Sequence, residues 1–331
     1  MQKAQYTRED LKTMQGWSFE RKIQVAQLRI DEWYEHFGGG VYISFSGGKD
    51  STVLLDLVRR CHPDVPAVFI DTGLEYPEIR SFALSKDNVV RLEPQLYNRH
   101  TREYERITFK QVIERYGYPV VSKEQSKFIY QYRTTNSERL RNLRIVGRPN
   151  GFGKIAKKWY PLRDSNIPIS SLCCDVMKKW PIHRYEKQSG RWGYLGTLCE
   201  ESQLRASQWL TSGCNAFDRS RPTSQPLSFW TEQDVLMYLK KFNIPYSPIY
   251  GDIVEDENGI LSVTGRKRTG CMFCMYGVHM EEEPNRFQQM QITHPKIWEY
   301  CMKPVEEHGL GLAKVLDFIG VPWKNKEEKS E

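Results

Sequence analysis

Residues 41–57 read VYISFSGGKDSTVLLDL, a strand, a turn and a helix in one pass. Val41, Ile43 and Phe45 are β-formers at alternate positions, and Ser46-Gly47-Gly48 has the small residues of a turn. Asp50-Ser51 then opens a helix whose apolar positions include Val53, Leu54, Leu55 and Leu57. Such a helix begins with backbone N–H groups that lack intrahelical partners, and its dipole puts positive charge at the same end. Phosphate is the natural occupant of the space above the two glycines. Gly47 and Gly48 allow close backbone approach, the hydroxyls of Ser46 and Ser51 add donors, and Lys49 adds a point charge.

The spacing excludes two commoner nucleotide loops. A Walker A loop needs GxxxxGK followed by Ser or Thr, and a dinucleotide fingerprint needs GxGxxG. SGGKDS, residues 46–51, instead resembles the signature of the PP-loop ATP pyrophosphatases. That resemblance implies a nucleotide at this turn and, commonly, cleavage of ATP between its α and β phosphates.

Ala67 to Gly73 (AVFIDTG) reads as a second buried strand ending in an acid and a turn. Two strands joined by a helix make a βαβ unit, parallel and right-handed. Their ends face one crevice, so Asp71 and Thr72 are expected beside the nucleotide, although an Asp at this place is also a common helix cap. FIDTGLEYPE, residues 69–78, is similar to the DTGxxFPET stretch of the phosphoadenosine-phosphosulfate (PAPS) reductase branch of that superfamily. Asn88–Leu92 is expected to form a third strand and Thr108–Tyr116 a short helix. Asp10–His36 reads as one helix that stops at Gly38-Gly39-Gly40 and packs on the sheet edge.

A chain of 331 residues with 39% hydrophobic content suits one large α/β domain with an appendage, or two domains. No apolar run approaches a membrane span, and the first twenty residues lack the apolar core of a signal peptide, so a cytoplasmic protein is expected. The formal charge of +7 and a pI near 8.8 fit an anionic substrate or nucleic acid, and equally fit plain solubility. Eight cysteines in an intracellular chain point to metal or thiol chemistry and not to a disulfide framework.

Residues 133–163 carry Arg133, Arg139, Arg141, Arg144, Arg148, Lys154, Lys157, Lys158 and Arg163 against the single acid Glu138, interleaved with Phe152, Trp159 and Tyr160. Cations among aromatics suit contact with DNA or tRNA. The alternative is a solvated insertion whose cations close over the nucleotide phosphates.

Cys173-Cys174 lies in ISSLCCDVMKKWPI, and Cys271 and Cys274 form the CxxC of RTGCMFCMYGVHME. Thiolates are soft ligands for zinc or iron–sulfur clusters; adjacent cysteines are awkward for zinc alone but acceptable to a larger cluster. A Cys-Cys pair with a distant CxxC resembles what the iron–sulfur adenylylsulfate reductases use to hold a 4Fe-4S cluster. The DNA-phosphorothioation pyrophosphatases, a related branch, also carry a cluster. The resemblance therefore implies Cys173, Cys174, Cys271 and Cys274 as ligands of a 4Fe-4S cluster, with zinc as the alternative. Cys61, Cys199, Cys214 and Cys301 read as small buried hydrophobes, Cys199 being the one candidate for a reactive thiol; His279 and His294 read as structural or surface residues.

GTLCEESQLR, residues 196–205, looks like the family's GxRxxESxxR, matching at Gly196, Glu201, Ser202 and Arg205 and departing at Leu198, where the family has Arg. Glu201 and Ser202 would begin a helix, and Arg205 could present its guanidinium fork to a phosphate or sulfate. The alternative is a helix start with no ligand. Further on, Thr231 and Asp234 have capping-box spacing, Asn258-Gly259 marks a hairpin, and Arg266-Lys267-Arg268 leads into the CxxC; the tail WKNKEEKSE is expected to fray.

These motifs, spread from Val41 to Cys274, resemble the PAPS reductase family. The resemblance implies a doubly wound, mainly parallel α/β sheet with an adenine nucleotide at the strand ends and a smaller cysteine-containing C-terminal region. The expected segments are an N-terminal helical piece, 1–40, a nucleotide-binding domain, 41–235, with the basic insertion 133–163, and a C-terminal region, 236–331. Known sulfonucleotide reductases carry a nucleophilic cysteine in a Glu-Cys-Gly-Leu-His-like tail, whereas the last cysteine here is Cys301 in IWEYCMKP. The expectation is thus an ATP pyrophosphatase that adenylates an acceptor, a nucleic acid above all, for sulfur transfer from a cysteine desulfurase or another donor. Lys49, Asp50 and Arg205 would be catalytic, with Asp50 and Asp71 nearest a magnesium ion. Ser46, Gly47, Gly48, Lys49, Asp50, Ser51, Asp71, Thr72, Gly196, Glu201 and Ser202 would hold the nucleotide. The alternatives are a reductase of adenylylsulfate or PAPS, and a non-catalytic nucleotide-sensing DNA-binding protein.

Overall fold

In the computed structural model, which describes residues 5–325, the strands in chain order are β1 (Val41–Ser44), β2 (Ala67–Ile70), β3 (Val89–Leu92), β4 (Gln95–Asn98), β5 (Glu103–Arg106), β6 (Val120–Val121), β7 (Trp192–Leu195), β8 (Asn215–Ala216), β9 (Thr223–Ser224), β10 (Ile253–Glu255), β11 (Leu261–Val263) and β12 (Met275–Tyr276). The chain forms two compact units. The first takes the residues up to 71, 75–93 and 181–269, and the second takes 72–74, 94–180 and 270 onward.

The first unit is built on a sheet ordered β3-β2-β1-β7-β9-β8. β1 lies parallel to β2 with Ile43 opposite Ala67, and parallel to β7 with Val41 opposite Trp192; only β8 runs antiparallel, against β9. Alternation along the strands sends side chains to opposite faces. Val41, Ile43, Ala67 and Phe69 join one core with Ile30 and Trp33 of helix Phe19–His36, Leu54 and Leu57 of helix Lys49–Cys61, and Val235 and Tyr238 of helix Glu232–Lys241. Tyr42 and Val68 pack on the other face with Ile182. Both faces are covered, as a parallel sheet requires, and the expected α/β class holds.

The N-terminal region is two helices, Arg8–Gln15 and Phe19–His36, where one was expected. Gly16 ends the first, and the Ser18 hydroxyl caps the second by accepting the Arg21 N–H. Thr231 and Asp234 form the anticipated capping box, and β10 pairs antiparallel with β11 across the Asn258-Gly259 turn.

In the second unit the segment after Gly117 is the organiser. Tyr118 bridges Ile169 in parallel, and two residues later β6 pairs in parallel with β12, Val120 opposite Met275. Gly117 has φ +101°, and a Cβ there would sit 2.5 Å from the Ile169 nitrogen, so no side chain fits. β4 and β5 make a separate hairpin. Of the tail expected to fray, Trp323 Nε1 donates to Asp317 and Asn325 is tied to Gln288 and Gln291, while residues 326–331 lie outside the described residues. Among the described residues no helix is long and apolar enough to cross a membrane.

Candidate functional site

The turn after β1 is held by its own small side chains. Ser51 Oγ accepts the Ser46 N–H at 3.2 Å and donates to the Gly48 carbonyl at 2.9 Å, while Ser46 Oγ accepts the Gly48 N–H at 3.3 Å. Gly47, at φ +74°, is pressed against Ile79, whose carbonyl oxygen would lie 2.9 Å from any Cβ. Only glycine meets both demands. The Lys49 N–H, at the start of the helix, donates to Tyr250 Oη at 3.2 Å, and that hydroxyl shares a 2.6 Å hydrogen bond with Thr269 Oγ1. An oxygen therefore already sits where the helix amide points.

Lys49 is buried, and its Nζ pairs with Glu232 at 3.0 Å and donates to the Lys267 carbonyl at 3.2 Å. Burial opposes its charge, but Asp50 and Glu232 outweigh it and hold the ammonium above its usual value. Asp50 is the converse. Its Oδ1 is buried with no hydrogen-bond partner, and burial pushes the carboxyl up, Lys49 opposing.

The 196–205 segment meets the turn directly. A Cβ on Gly196 would lie 3.1 Å from the Asp50 carbonyl oxygen and 3.1 Å from Ser51 Cα. Ser202 is the N-cap of helix Gln203–Ser212, and Glu201 precedes it in a short 3-10 turn, Cys199–Glu201. Glu201 accepts the Leu198 N–H and forms an ion pair with Arg205; burial lowers the Arg205 guanidinium, Asp50 opposing. Leu198, where the family motif has Arg, is 2% exposed and belongs to the core. Cys199 is 3% exposed, and burial pushes its thiol up to about 12.

Asp71 is held by two arginines. Arg80 Nε and Nη2 donate to its two oxygens at 2.9 and 2.8 Å, and Arg91 Nε adds a third bond at 2.7 Å. Burial would raise this carboxyl, but the two guanidiniums outweigh it and hold it below the usual range. Thr72 falls in the second unit, where its hydroxyl accepts the Leu74 N–H. Arg266-Lys267-Arg268, which leads into the CxxC, lies in the first unit: the Arg266 N–H bonds the Ile249 carbonyl, which brings Lys267 and Thr269 beside Lys49 and Tyr250.

All four cysteines of the two pairs belong to the second unit. Tyr118–Val121 gathers them, since Ile169 leads to Cys173-Cys174 and Met275 follows Cys274. Cys173 Sγ and Cys174 Sγ are 3.9 Å apart. Their hydrogen bond holds the Cys174 thiol down, with help from Lys123 and Lys178, and pushes Cys173 up, with Cys274 and Cys271 adding to the rise. Burial pushes Cys274 up to about 11. Tyr276 is half-buried, with its hydroxyl enclosed and raised by burial and by Cys173, Cys174 and Cys274. Val121, β-branched and at φ +65°, is a strained residue beside this group. Among the described residues no three His, Cys, Asp or Glu side chains are placed to hold a single metal ion. His279 meets Trp159 edge-on, as a structural residue does, and His294 bonds Thr293.

The basic segment is partly consumed by its own fold. Arg133 donates to the carbonyls of Leu162, Arg163, Ser165 and Ile167, and Arg144 to Gln131 and Gly153. Arg139, Arg141, Arg148, Lys154, Lys157 and Lys158 remain exposed, with Phe152 69% exposed among them.

The phosphoadenosine phosphosulfate reductase domain matches residues 40–129 and 120–275, a span that includes the turn, residues 196–205 and both cysteine pairs. The chain belongs to that family. Within and around it, an uncharacterized protein of Methanocaldococcus jannaschii is 25% identical over 305 residues, 90% of this chain and 49% of that one, so the chain spans about half that relative's length. An adenosine 5'-phosphosulfate reductase of Staphylococcus haemolyticus is 26% identical over 223 residues, covering 67% of this chain and 70% of the relative. A phosphoadenosine 5'-phosphosulfate reductase of Vibrio cholerae is 24% identical over 265 residues, 79% of each chain. The crystal structure of phosphoadenylyl-sulfate (PAPS) reductase from Candida auris, a phosphate complex, aligns with TM-score 0.40 and 14% identity over 77% of this chain and 97% of that one. An adenine nucleotide is consistent with membership of the family, whose domain spans the Ser46–Ser51 turn. Tyr250, Thr269 and Glu232 were not legible as its neighbours, since Tyr250 stands 201 residues beyond Lys49 and carries no motif of its own.

Proposed function

We propose that the protein binds ATP at the Ser46–Ser51 turn and transfers its adenylyl group to an acceptor oxygen, so that a sulfur donor can then displace AMP. The acceptor oxygen bonds to the α-phosphorus, the bridge to the β-phosphate breaks, and pyrophosphate leaves with the electron pair. The observation that carries this reading is Asp50: a carboxylate oxygen buried without a partner on the first turn of a phosphate-facing helix. A hard anionic oxygen in that position fits the magnesium ion that a triphosphate brings with it. Asp71, with both oxygens taken by Arg80 and Arg91, does not. When bound, the ion would draw charge from the phosphoryl oxygens. Lys49 supplies a fixed positive charge, the helix amide supplies the hydrogen bond now given to Tyr250, and Arg205 stands by with its Glu201 partner. Catalysis by such a site is positioning and electrostatics.

The same reading places a 4Fe-4S cluster on Cys173, Cys174, Cys271 and Cys274. Four soft thiols gathered by one backbone segment suit such a cluster, with zinc as the alternative. When bound, the cluster would supply redox chemistry or structural rigidity to the second unit. A cysteine desulfurase is the class of enzyme able to provide the sulfur, and a nucleic acid, DNA or tRNA, is the acceptor that the exposed cations of 139–158 support.

The relatives' names support a second reading, reduction of adenylylsulfate or PAPS. It needs a thiolate within reach of the sulfur. Cys199, the thiol nearest the site motif, is enclosed and pushed up to about 12, which counts against it. Anaerobically purified protein given ATP, adenylylsulfate and PAPS in parallel separates the two. Pyrophosphate from ATP is expected, falling about a hundredfold or more in Asp50→Ala. Sulfite from either sulfonucleotide with thioredoxin, and no cleavage of ATP, would sink the proposal.

A further inference from the structure

The β4–β5 hairpin of the second unit contains none of the residues assigned to the adenylyl chemistry or the cysteine pairs, and β4 packs against Asp175–Lys179, the turn that follows Cys174. Its register sets Gln95 opposite Arg106, Leu96 opposite Glu105, Tyr97 opposite Tyr104 and Asn98 opposite Glu103. Side chains alternate between the faces of a strand, so Gln95, Tyr97, Tyr104 and Arg106 share one face, and both acids take the other. Glu105 is occupied there by Asn98 Nδ2 at 2.7 Å and Thr101 Oγ1 at 2.9 Å. The connecting loop adds Arg99, His100 and Arg102, all exposed.

Two features on this hairpin point to a ligand. The rings of Tyr97 and Tyr104 are 50% and 53% exposed and touch each other at 5.4 Å, a platform of aromatic surface turned to water. Next to it opens a cavity of about 490 Å³, lined among others by Tyr97, Arg99, His100, Glu105, Arg106 and Arg115. The guanidiniums of Arg99 and Arg115 and the imidazole of His100 against one engaged carboxylate make that cavity a place for an anion, and its size suits one nucleotide. Tyr97 belongs to both features and joins the stacking surface to the cationic one.

We infer that the β4–β5 hairpin binds single-stranded nucleic acid, its phosphodiester at Arg99 and Arg115 and its bases stacked on Tyr97 and Tyr104. Aromatic rings with flanking cations follow a strand in this way without reading its sequence, and a duplex offers them no unstacked base. An acidic peptide would use the cations but leave the paired rings idle. The inference rests on the proposed reading in which the acceptor is a nucleic acid, and gives that acceptor a seat separate from the exposed cations of 139–158.

The test is fluorescence anisotropy of the full-length protein with labelled oligonucleotides of about 16 nucleotides: single-stranded DNA, single-stranded RNA and a duplex, without ATP and over a range of salt. Single strands should bind more tightly than duplex, and the tighter of the two single strands identifies the source of the acceptor. Tyr97→Ala with Tyr104→Ala should weaken binding about ten- to a hundredfold, and the two Phe substitutions should leave it intact. Arg99→Gln with Arg115→Gln should weaken binding and flatten its salt dependence. Pyrophosphate release from ATP is measured on the same preparations. Strand binding in protein that releases none supports the surface and overturns only the ATP reading. No binding, equal binding of duplex, or binding indifferent to the tyrosine pair overturns the surface.

Discussion

Asp50 keeps one carboxylate oxygen buried beside Lys49 with no hydrogen bond, while Lys49 itself is satisfied by Glu232 and the Lys267 carbonyl. Burial raises this carboxyl, Lys49 opposing, so the folded chain disfavours its ionised form. A carboxyl raised on folding costs nothing below its unfolded value of about 3.9, and the penalty grows as pH rises from there and is complete above the folded value. Asp50→Asn keeps the shape and removes the charge. Without ligand, the variant should be more stable than the parent by about 1 kcal/mol at neutral pH. The gain should vanish in acid, while ATP turnover is lost throughout. Urea unfolding at several pH values reads this, and a variant less stable at neutral pH would show that Lys49 holds the carboxylate after all. The residues of the turn were legible because their roles are local: Ser46, Gly48 and Ser51 bond one another within six positions. Tyr250, Thr269 and the arginines on Asp71 were not, because each arrives through tertiary structure at a position with no local pattern.

Helices with their own caps and strands with long apolar runs could be read from the chain, and elements defined by their neighbours could not. Thr231 and Asp234 announce a helix within four residues, and β1 and β2 are plain apolar strands. β7 is a strand because it lies against β1, with Gly193 so close to Tyr42 that a Cβ would meet the phenol oxygen at 2.7 Å. β4 and β5 turn through Arg99–Arg102 without the Asn-Gly or Asp-Gly signal of a short hairpin. The capping box at Thr231 has a second duty that spacing alone hides. Asp234 also accepts two bonds from Lys22 Nζ, at 2.8 and 2.7 Å, locking helix Phe19–His36 to helix Glu232–Lys241 through a buried ion pair. Lys22→Met leaves the carboxylate buried and unpaired and should cost about 3–5 kcal/mol. Adding Asp234→Asn, which removes the charge and keeps an acceptor for Thr231, should restore more than half of that loss. Chemical denaturation of both variants decides it, and equal losses would mean that Lys22 acts by packing alone.

At the scale of the whole chain, the polypeptide leaves the first unit after Asp71, returns at Glu75, leaves again after Glu93 and comes back at Pro181 before its last departure after Thr269. No local pattern marks those passages, because membership of a unit depends on which residues pack together. The Ser46–Ser51 turn, Arg205 and Tyr250 all belong to the first unit, and the four paired cysteines all belong to the second. We therefore expect two unfolding transitions that respond to different ligands. Magnesium–ATP at a hundred times its dissociation constant should stabilise the first by about 2.7 kcal/mol and leave the second in place. Cys174→Ser or Cys271→Ser should lower the iron content and the second transition, and leave the ATP-dependent one unmoved. Scanning calorimetry of anaerobic protein gives both temperatures, and hydrogen exchange assigns each to its residues. One transition that moves with ATP and with the cysteine substitutions alike would show a single cooperative fold and would remove the separation of nucleotide and thiol chemistry proposed for this chain.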